Sequence, residues 1–285
     1  MMQLATFWSG PLSPLEIACM LSFVDNGHKM TLYSFGRYEL PDTIQQKPAD
    51  EIADASLLQR FRTNGQPNIA HFADLFRLLL FKKTDYVWVD CDILSMDNTT
   101  WAADVIVKEA GDSIINCVLR ISDRVLLDEA IRLTEALLDK DVVWAATQNV
   151  IPRAIARTSY AGGFADANLF SPIDVDDWYR LLLPEYRDVC ARLCARAHTV
   201  HLFNNVLQKV GYLKSALPPP GSYLGILLKD RGVVPLFTGV YDEETVRALA
   251  TNWQLRFSGN AIGFGALTRQ IVPSLRRTLS RRRFR

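Results

Sequence analysis

The stretch that decides the fold is "NIAHFADLFRLLLFKKTDYVWVDCDILSMD", residues 68–97. Apolar residues recur at helical spacing over 69–82, through Ala70, Phe72 or Ala73, Leu75 or Phe76, and Leu79. "YVWVDCDIL" (86–94) is then apolar on both faces until Asp90. A strand of that kind lies inside a sheet covered on both sides. Asp90 and Asp92 stand at its carboxyl end, where open parallel sheets collect ligands. Alternation along a strand points residues i and i+2 the same way. Two carboxylates so placed repel each other unless a cation sits beside them. Mg²⁺ or Mn²⁺ takes such oxygens and usually keeps phosphates and waters as its other ligands. The pattern therefore points to a metal that holds a diphosphate. The alternative is a plain strand-end Asx turn.

Upstream, "QLATFWSG" (3–10) reads as a strand ending at Gly10, followed by a Pro-opened helix over 14–27 with Gly27 as its cap. "KMTLYSF" (29–35) is a second strand. Strand, helix and strand in that order begin a parallel α/β sheet. A polar loop with a short helix near 48–61 leads into the decisive stretch. Downstream, "SIINCVLRIS" (113–122) reads as a strand and 124–139 as an amphipathic helix. "VVWAATQNVIPRAIART" (142–158) begins either as a strand or as a helix. Residues 176–197 read as helix broken by Pro184, a further helix follows His201, and a Pro-stiffened loop precedes an apolar segment near 223–230. The expected organisation is one domain over 1–235 and a C-terminal appendage over 236–285.

Of 285 residues, 49% are hydrophobic and 22% charged, which suits a soluble globular chain with a sizeable core. The five cysteines have no paired framework, and Cys190 and Cys194 read as helix residues, so a reducing compartment is expected. With no visible signal peptide and no run of about 20 apolar residues, the expected location is cytoplasmic, free or peripheral on the cytosolic membrane face. The last ten residues, "RRTLSRRRFR", hold six arginines and no acid; without them the net charge falls from +1 to −5. A basic tail on an acidic body suits an anionic membrane surface, or is a solvated chain end. Nucleic acid would need a wider basic face with interleaved aromatics, so no nucleic-acid partner is expected.

The helix also carries Asp74 and Arg77, an i,i+3 pair on one face. "FADLFRLLLFKKTDYVWVDCDIL" (72–94) resembles the signature of glycosyltransferases that share a sugar-binding region with an Asp-x-Asp (DXD) motif. That group includes yeast mannosyltransferase-like, α-1,4-galactosyltransferase-like and clostridial-toxin-like enzymes. "FWSGPLSPLEIACMLSFVDNGHKMTLYSF" (7–35) is similar to the family's opening, and "VHLFNNVLQKVGYLKSALPPPGSYLGILL" (200–228) to its later His-Leu-Trp-Asn and Pro-rich segments, with Phe203 in place of the tryptophan.

The resemblance implies an α/β, GT-A-type, Rossmann-like mixed sheet flanked by helices. It implies a metal-dependent, retaining transfer of a sugar from a nucleotide sugar, UDP-linked, to a saccharide or lipid-linked saccharide, as in bacterial polysaccharide or lipopolysaccharide synthesis. Trp8 would stack on the uracil-type base, or else pack as core at a strand end. Asp74 and Arg77 would contact ribose, sugar hydroxyls or phosphate. Asp90 would bind hydroxyls and reach Mn²⁺ or Mg²⁺ through water, and Asp92 would bind the metal directly. His201 and Asn204, three apart, share a face and are further metal ligands, His201 being alternatively a structural histidine. Ser222 in the Pro-rich loop and Asn116 at the end of "SIIN" complete the donor or acceptor contacts. Asp90, Asp92 and Arg77 would carry catalysis. A metal-dependent phosphoryl or nucleotidyl transferase is the rival reading, but no glycine-rich phosphate loop is evident. A carbohydrate-binding relative without activity is another.

Overall fold

The computed structural model describes residues 1–101, 104–109, 113–144 and 146–257. The chain opens with β1 (Gln3–Phe7), α1 (Pro14–Asp25) and β2 (Lys29–Ser34), and β1 and β2 pair in parallel from Gln3 opposite Lys29 to Phe7 opposite Tyr33. Gly27, at φ +79°, takes the left-handed turn between helix and strand that a side chain would resist. β3 (Ile44–Pro48) adds to β2 in parallel. Where one short helix is expected near 48–61, two 3₁₀ turns form, over Ala49–Glu51 and Ala55–Gln59. A small hairpin follows, β4 (Arg62–Thr63) and β5 (Gln66–Pro67), turning through Asn64 and Gly65, both at positive φ.

α2 (Ile69–Lys83) starts where Asn68 Oδ1 accepts the N–H groups of Ala70 (3.0 Å) and His71 (3.3 Å). β6 (Val87–Val89) is wholly buried and ends at Val89, shorter than the sequence suggests. The chain turns, with the Ile93 N–H bonded to the Asp90 carbonyl at 3.1 Å, into β7 (Ile93–Ser95). β8 (Val105–Lys108), β9 (Ile114–Arg120), α3 (Arg124–Glu135), α4 (Val150–Thr158), β10 (Ala165–Asp166) and α5 (Ala167–Phe170) come next. In the ambiguous stretch, residues 146–149 form a turn that leads into α4.

Residues 175–186 form two 3₁₀ turns, the second opening at Pro184, and only Arg187–Leu193 is α-helical (α6). β11 (Thr199–His201), α7 (Asn204–Val210), β12 (Ala216–Leu217), α8 (Tyr223–Asp230), β13 (Gly239–Val240) and α9 (Glu243–Phe257) complete the described chain.

The main sheet runs β10-β8-β9-β6-β1-β2-β3, with β9 antiparallel to both neighbours and the other pairings parallel. β6 is the middle strand of the seven, as its two-sided apolar character predicts. It sends Trp88 into a core shared with Phe72, Phe76 and Leu127, and Val87 and Val89 into a core shared with Met20 and Leu32. This is the expected α/β architecture, a mixed sheet flanked by helices. A third core gathers Trp178, Cys190, Leu207 and Leu224, and α9 lays Val246, Ala250 and Trp253 into it. All five cysteines are free and buried. No described helix is long and apolar enough to cross a membrane.

Candidate active site

Beyond β6 the chain places its acids on two different supports. Asp90 stays on the Trp88 side, where the indole N–H donates to Asp90 Oδ1 at 2.6 Å. There it meets Arg77, projecting from α2. One guanidinium nitrogen lies 3.0 Å from Asp74 Oδ1 and 3.4 Å from Asp90 Oδ1. Another donates to the Asn116 carbonyl, and Nε donates to the Ala73 carbonyl at 3.3 Å. The guanidinium carbon also lies 4.8 Å from the centre of the Trp88 ring. Arg77 is only 5% exposed, so these contacts are what make a buried cation tolerable. Behind Asp74 a chain of hydrogen bonds runs inward: Thr147 donates to Asp74 Oδ2, and the Thr147 hydroxyl pairs with His71 Nδ1 at 2.7 Å. A small cavity opens here, lined by Asp74, Arg77, Asn116 and Thr147 with Val150 and Ile151 as apolar wall. Asn116 Oδ1 is buried and has no partner.

Asp92 points elsewhere. β7 and β11 pair antiparallel with Ile93 opposite His201, so a strand far along the chain runs beside Asp92. The Asp92 carbonyl accepts the Leu202 N–H at 2.9 Å. Its Oδ2 accepts the Asn204 backbone N–H at 2.7 Å and lies 3.2 Å from His201 Nε2. Phe203 makes this possible by turning at φ 55°, a left-handed conformation that costs a non-glycine residue about 1–3 kcal/mol. Its ring lies 4.3 Å from the His201 ring. The Asn204 side chain donates to Glu16 at 2.9 Å, leaving Asn204 Oδ1 buried without a partner.

Expected alternation along an unbroken strand is thus replaced by a turn. Asp90 joins α2 and Asp92 joins α7, yet Asp90 still feels the Asp92 charge. Burial pushes the Asp90 carboxyl up to about 6; Arg77 opposes the rise and the Asp92 charge adds to it. Asp92 is buried too, but the charge and hydrogen bond of His201 and the Asn204 N–H hold it below the usual carboxylate range. For His201, burial acts downward, and the Asp92 carboxylate and Cys117 outweigh it, leaving the imidazole well above its ordinary value. Between the unfolded value of 3.8 and about 6, the folded chain holds a proton on Asp90 that the unfolded chain has lost. Stability from this group therefore falls as pH rises through that window. Urea melts of the metal-free Asp90→Asn chain at pH 4.5 and 6.5 are expected to lack this decline.

Of the other expected site residues, Trp8 directly follows β1, half-buried, with its indole N–H on the Pro11 carbonyl at 3.1 Å. Ser222 is fully buried and caps α8 by accepting the Gly225 N–H at 3.2 Å. Among the described residues no three His, Cys, Asp or Glu side chains form a metal cage. Asp92 with the unpartnered Asn204 Oδ1 nonetheless suits a hard cation that takes its remaining ligands from phosphates and water.

No family model matches the chain, and no curated protein does. Among solved structures, one named "PaToxG Glycosyltransferase" is similar. It covers 79% of this chain and 86% of its own, at 12% identity and a TM-score of 0.41.

Sequence reasoning missed Glu16, Thr147 and His71. Glu16 had a visible signal, since "SPLE" (13–16) is a capping box, but that pattern reads as helix start alone. The rest carry no local signature.

Proposed function

We propose that this chain is a metal-dependent glycosyltransferase that moves a sugar, with retention, from a UDP-linked donor to a saccharide or lipid-linked saccharide. The observation that supports it most is the Asp74–Arg77–Asp90 cluster at the end of the central strand, next to an independently held Asp92. In this reading Trp8 stacks on the base, and Asp74, Asp90 and Asn116 accept from or donate to hydroxyls of ribose and donor sugar. Arg77 is a positioning residue: with Asp74, Asp90 and two carbonyls around it, it fixes both carboxylates before substrate arrives. Asp92 and Asn204 Oδ1 would hold Mn²⁺ or Mg²⁺, with Asp90 reaching it through water and His201 orienting Asp92. A divalent ion there supplies positive charge to the departing diphosphate. The site then holds the acceptor hydroxyl beside C1, and orientation lowers much of the barrier.

The basic segment 276–285, expected to reach an anionic membrane surface, lies outside the described residues. Its removal would weaken binding to anionic vesicles, most strongly at low salt.

The test is a panel of nucleotide sugars incubated with the full chain. One UDP-sugar is expected to be hydrolysed slowly, faster with Mn²⁺ than with EDTA. Transfer of phosphate or nucleotide instead would favour the phosphoryl-transferase reading, and no turnover of any donor would favour a carbohydrate-binding protein.

A further inference from the structure

Arg77 is enclosed by its carboxylate and carbonyl partners, so a side-chain cation that meets the leaving diphosphate beside the metal comes from elsewhere on the chain. Glu16, in the first turn of α1, is fully buried. A carboxylate in that position is costly unless its oxygens are satisfied. Oε2 accepts the Ser13 N–H at 2.9 Å and the Ser13 hydroxyl; Oε1 accepts the Asn204 amide at 2.9 Å and the ammonium of Lys214. Lys214 arrives from between α7 and β12, 198 residues further along the chain. Its ammonium also lies 5.1 Å from the centre of the Trp8 ring, and its side chain remains 20% exposed.

One lysine therefore touches the ring expected beneath the base. Through Glu16 and Asn204 it is also tied to Asp92, the expected cation ligand. In that reading the diphosphate runs between Trp8 and Asp92, the two residues that this ammonium reaches, one directly and the other through Glu16 and Asn204. We propose that Lys214 binds the diphosphate of the donor and stabilises it as a leaving group, with Glu16 as the buried counter-charge that aims it. This rests on the donor-site reading above. An ammonium carries three N–H donors, so engagement with Glu16 leaves capacity for phosphate oxygens. As a compact charge on a flexible stem, it can follow those oxygens as the bond to the sugar breaks.

A merely structural ion pair would neutralise Glu16 and leave phosphate recognition alone. Calorimetric titration with UDP and with uridine, both in EDTA, separates the two roles. Lys214→Met alone strands a buried carboxylate and is open to misfolding, so the Glu16→Gln/Lys214→Met chain, neutral at both positions, is measured beside it. Both are expected to lose about tenfold to a hundredfold in UDP affinity, the range of a charge-assisted hydrogen bond, with uridine affinity within about twofold. If wild type prefers UDP and the double variant prefers it equally, or loses both ligands alike, the lysine assignment is overturned and the donor site stands. If wild type shows no preference for UDP over uridine in EDTA but gains one when Mn²⁺ is added, the lysine assignment is overturned and the donor site stands; no preference in either condition overturns the donor-site reading and this assignment with it.

Discussion

Asp92→Asn is expected to lower Mn²⁺-stimulated turnover of the active UDP-sugar by about a hundredfold to a thousandfold, the range for deleting one preorganised charge partner. Asparagine keeps the shape, and its oxygen can still accept the Asn204 N–H that Asp92 accepts at 2.7 Å. What it lacks is the negative charge that the cation and His201 both need. The fold should survive, because losing one charge-assisted hydrogen bond costs about 1–3 kcal/mol. Initial rates against Mn²⁺ concentration, paired with urea melts, separate the two effects. A variant with full rate and an unchanged Mn²⁺ dependence would falsify Asp92 as the cation ligand. Mn²⁺ with UDP is also expected to raise the melting temperature of wild type and leave that of the variant unmoved, since only a native site that binds ligand is stabilised by it.

Arg77→Met should act differently, removing activity and stability together. The guanidinium stands between Asp74 at 3.0 Å and Asp90 at 3.4 Å, in a setting only 5% exposed. Deleting it leaves two carboxylates facing each other without a cation, and breaking a buried pair in this way costs about 3–5 kcal/mol. Asp90, already pushed up to about 6, loses the charge that opposed its rise, so its carboxyl should titrate higher still. Carbon-13 detection of the Asp90 carboxyl reads this directly. Arg77→Lys is expected to rescue little, because a point charge cannot span Asp74, Asp90 and the Asn116 carbonyl together. Arg77→Met/Asp90→Asn should recover part of the stability and none of the turnover. Equal stability in wild type and Arg77→Met would show that the cluster is not coupled as drawn.

The difference between these two variants follows from a geometry that the spacing of Asp90 and Asp92 conceals. Two residues apart in a strand, they share a face. Here β6 stops at Val89 and the turn sends them to different helices. A strand boundary is poorly legible in sequence because the apolar run continues into β7 through Ile93 and Leu94. Asp74 and Arg77, by contrast, were readable as one face of a helix, since their contact depends only on 3.6-residue periodicity.

By itself, the sequence was enough to identify β6 as a buried central strand, α2 as the helix before it, the β1-α1-β2 start of a parallel sheet, and the acids at the strand end. These are local matters: periodicity, capping and two-sided apolar runs lie in neighbouring residues. The tertiary structure alone decided that Asn204, 112 residues from Asp92, donates to its carboxylate, and that Lys214 and Glu16, 198 residues apart, form a pair beside Trp8. It also decided that Ser222 caps a helix. Such partners are chosen by strand register and by how helices seat on the sheet. That choice is a sum over the whole core, and no short stretch of chain contains it.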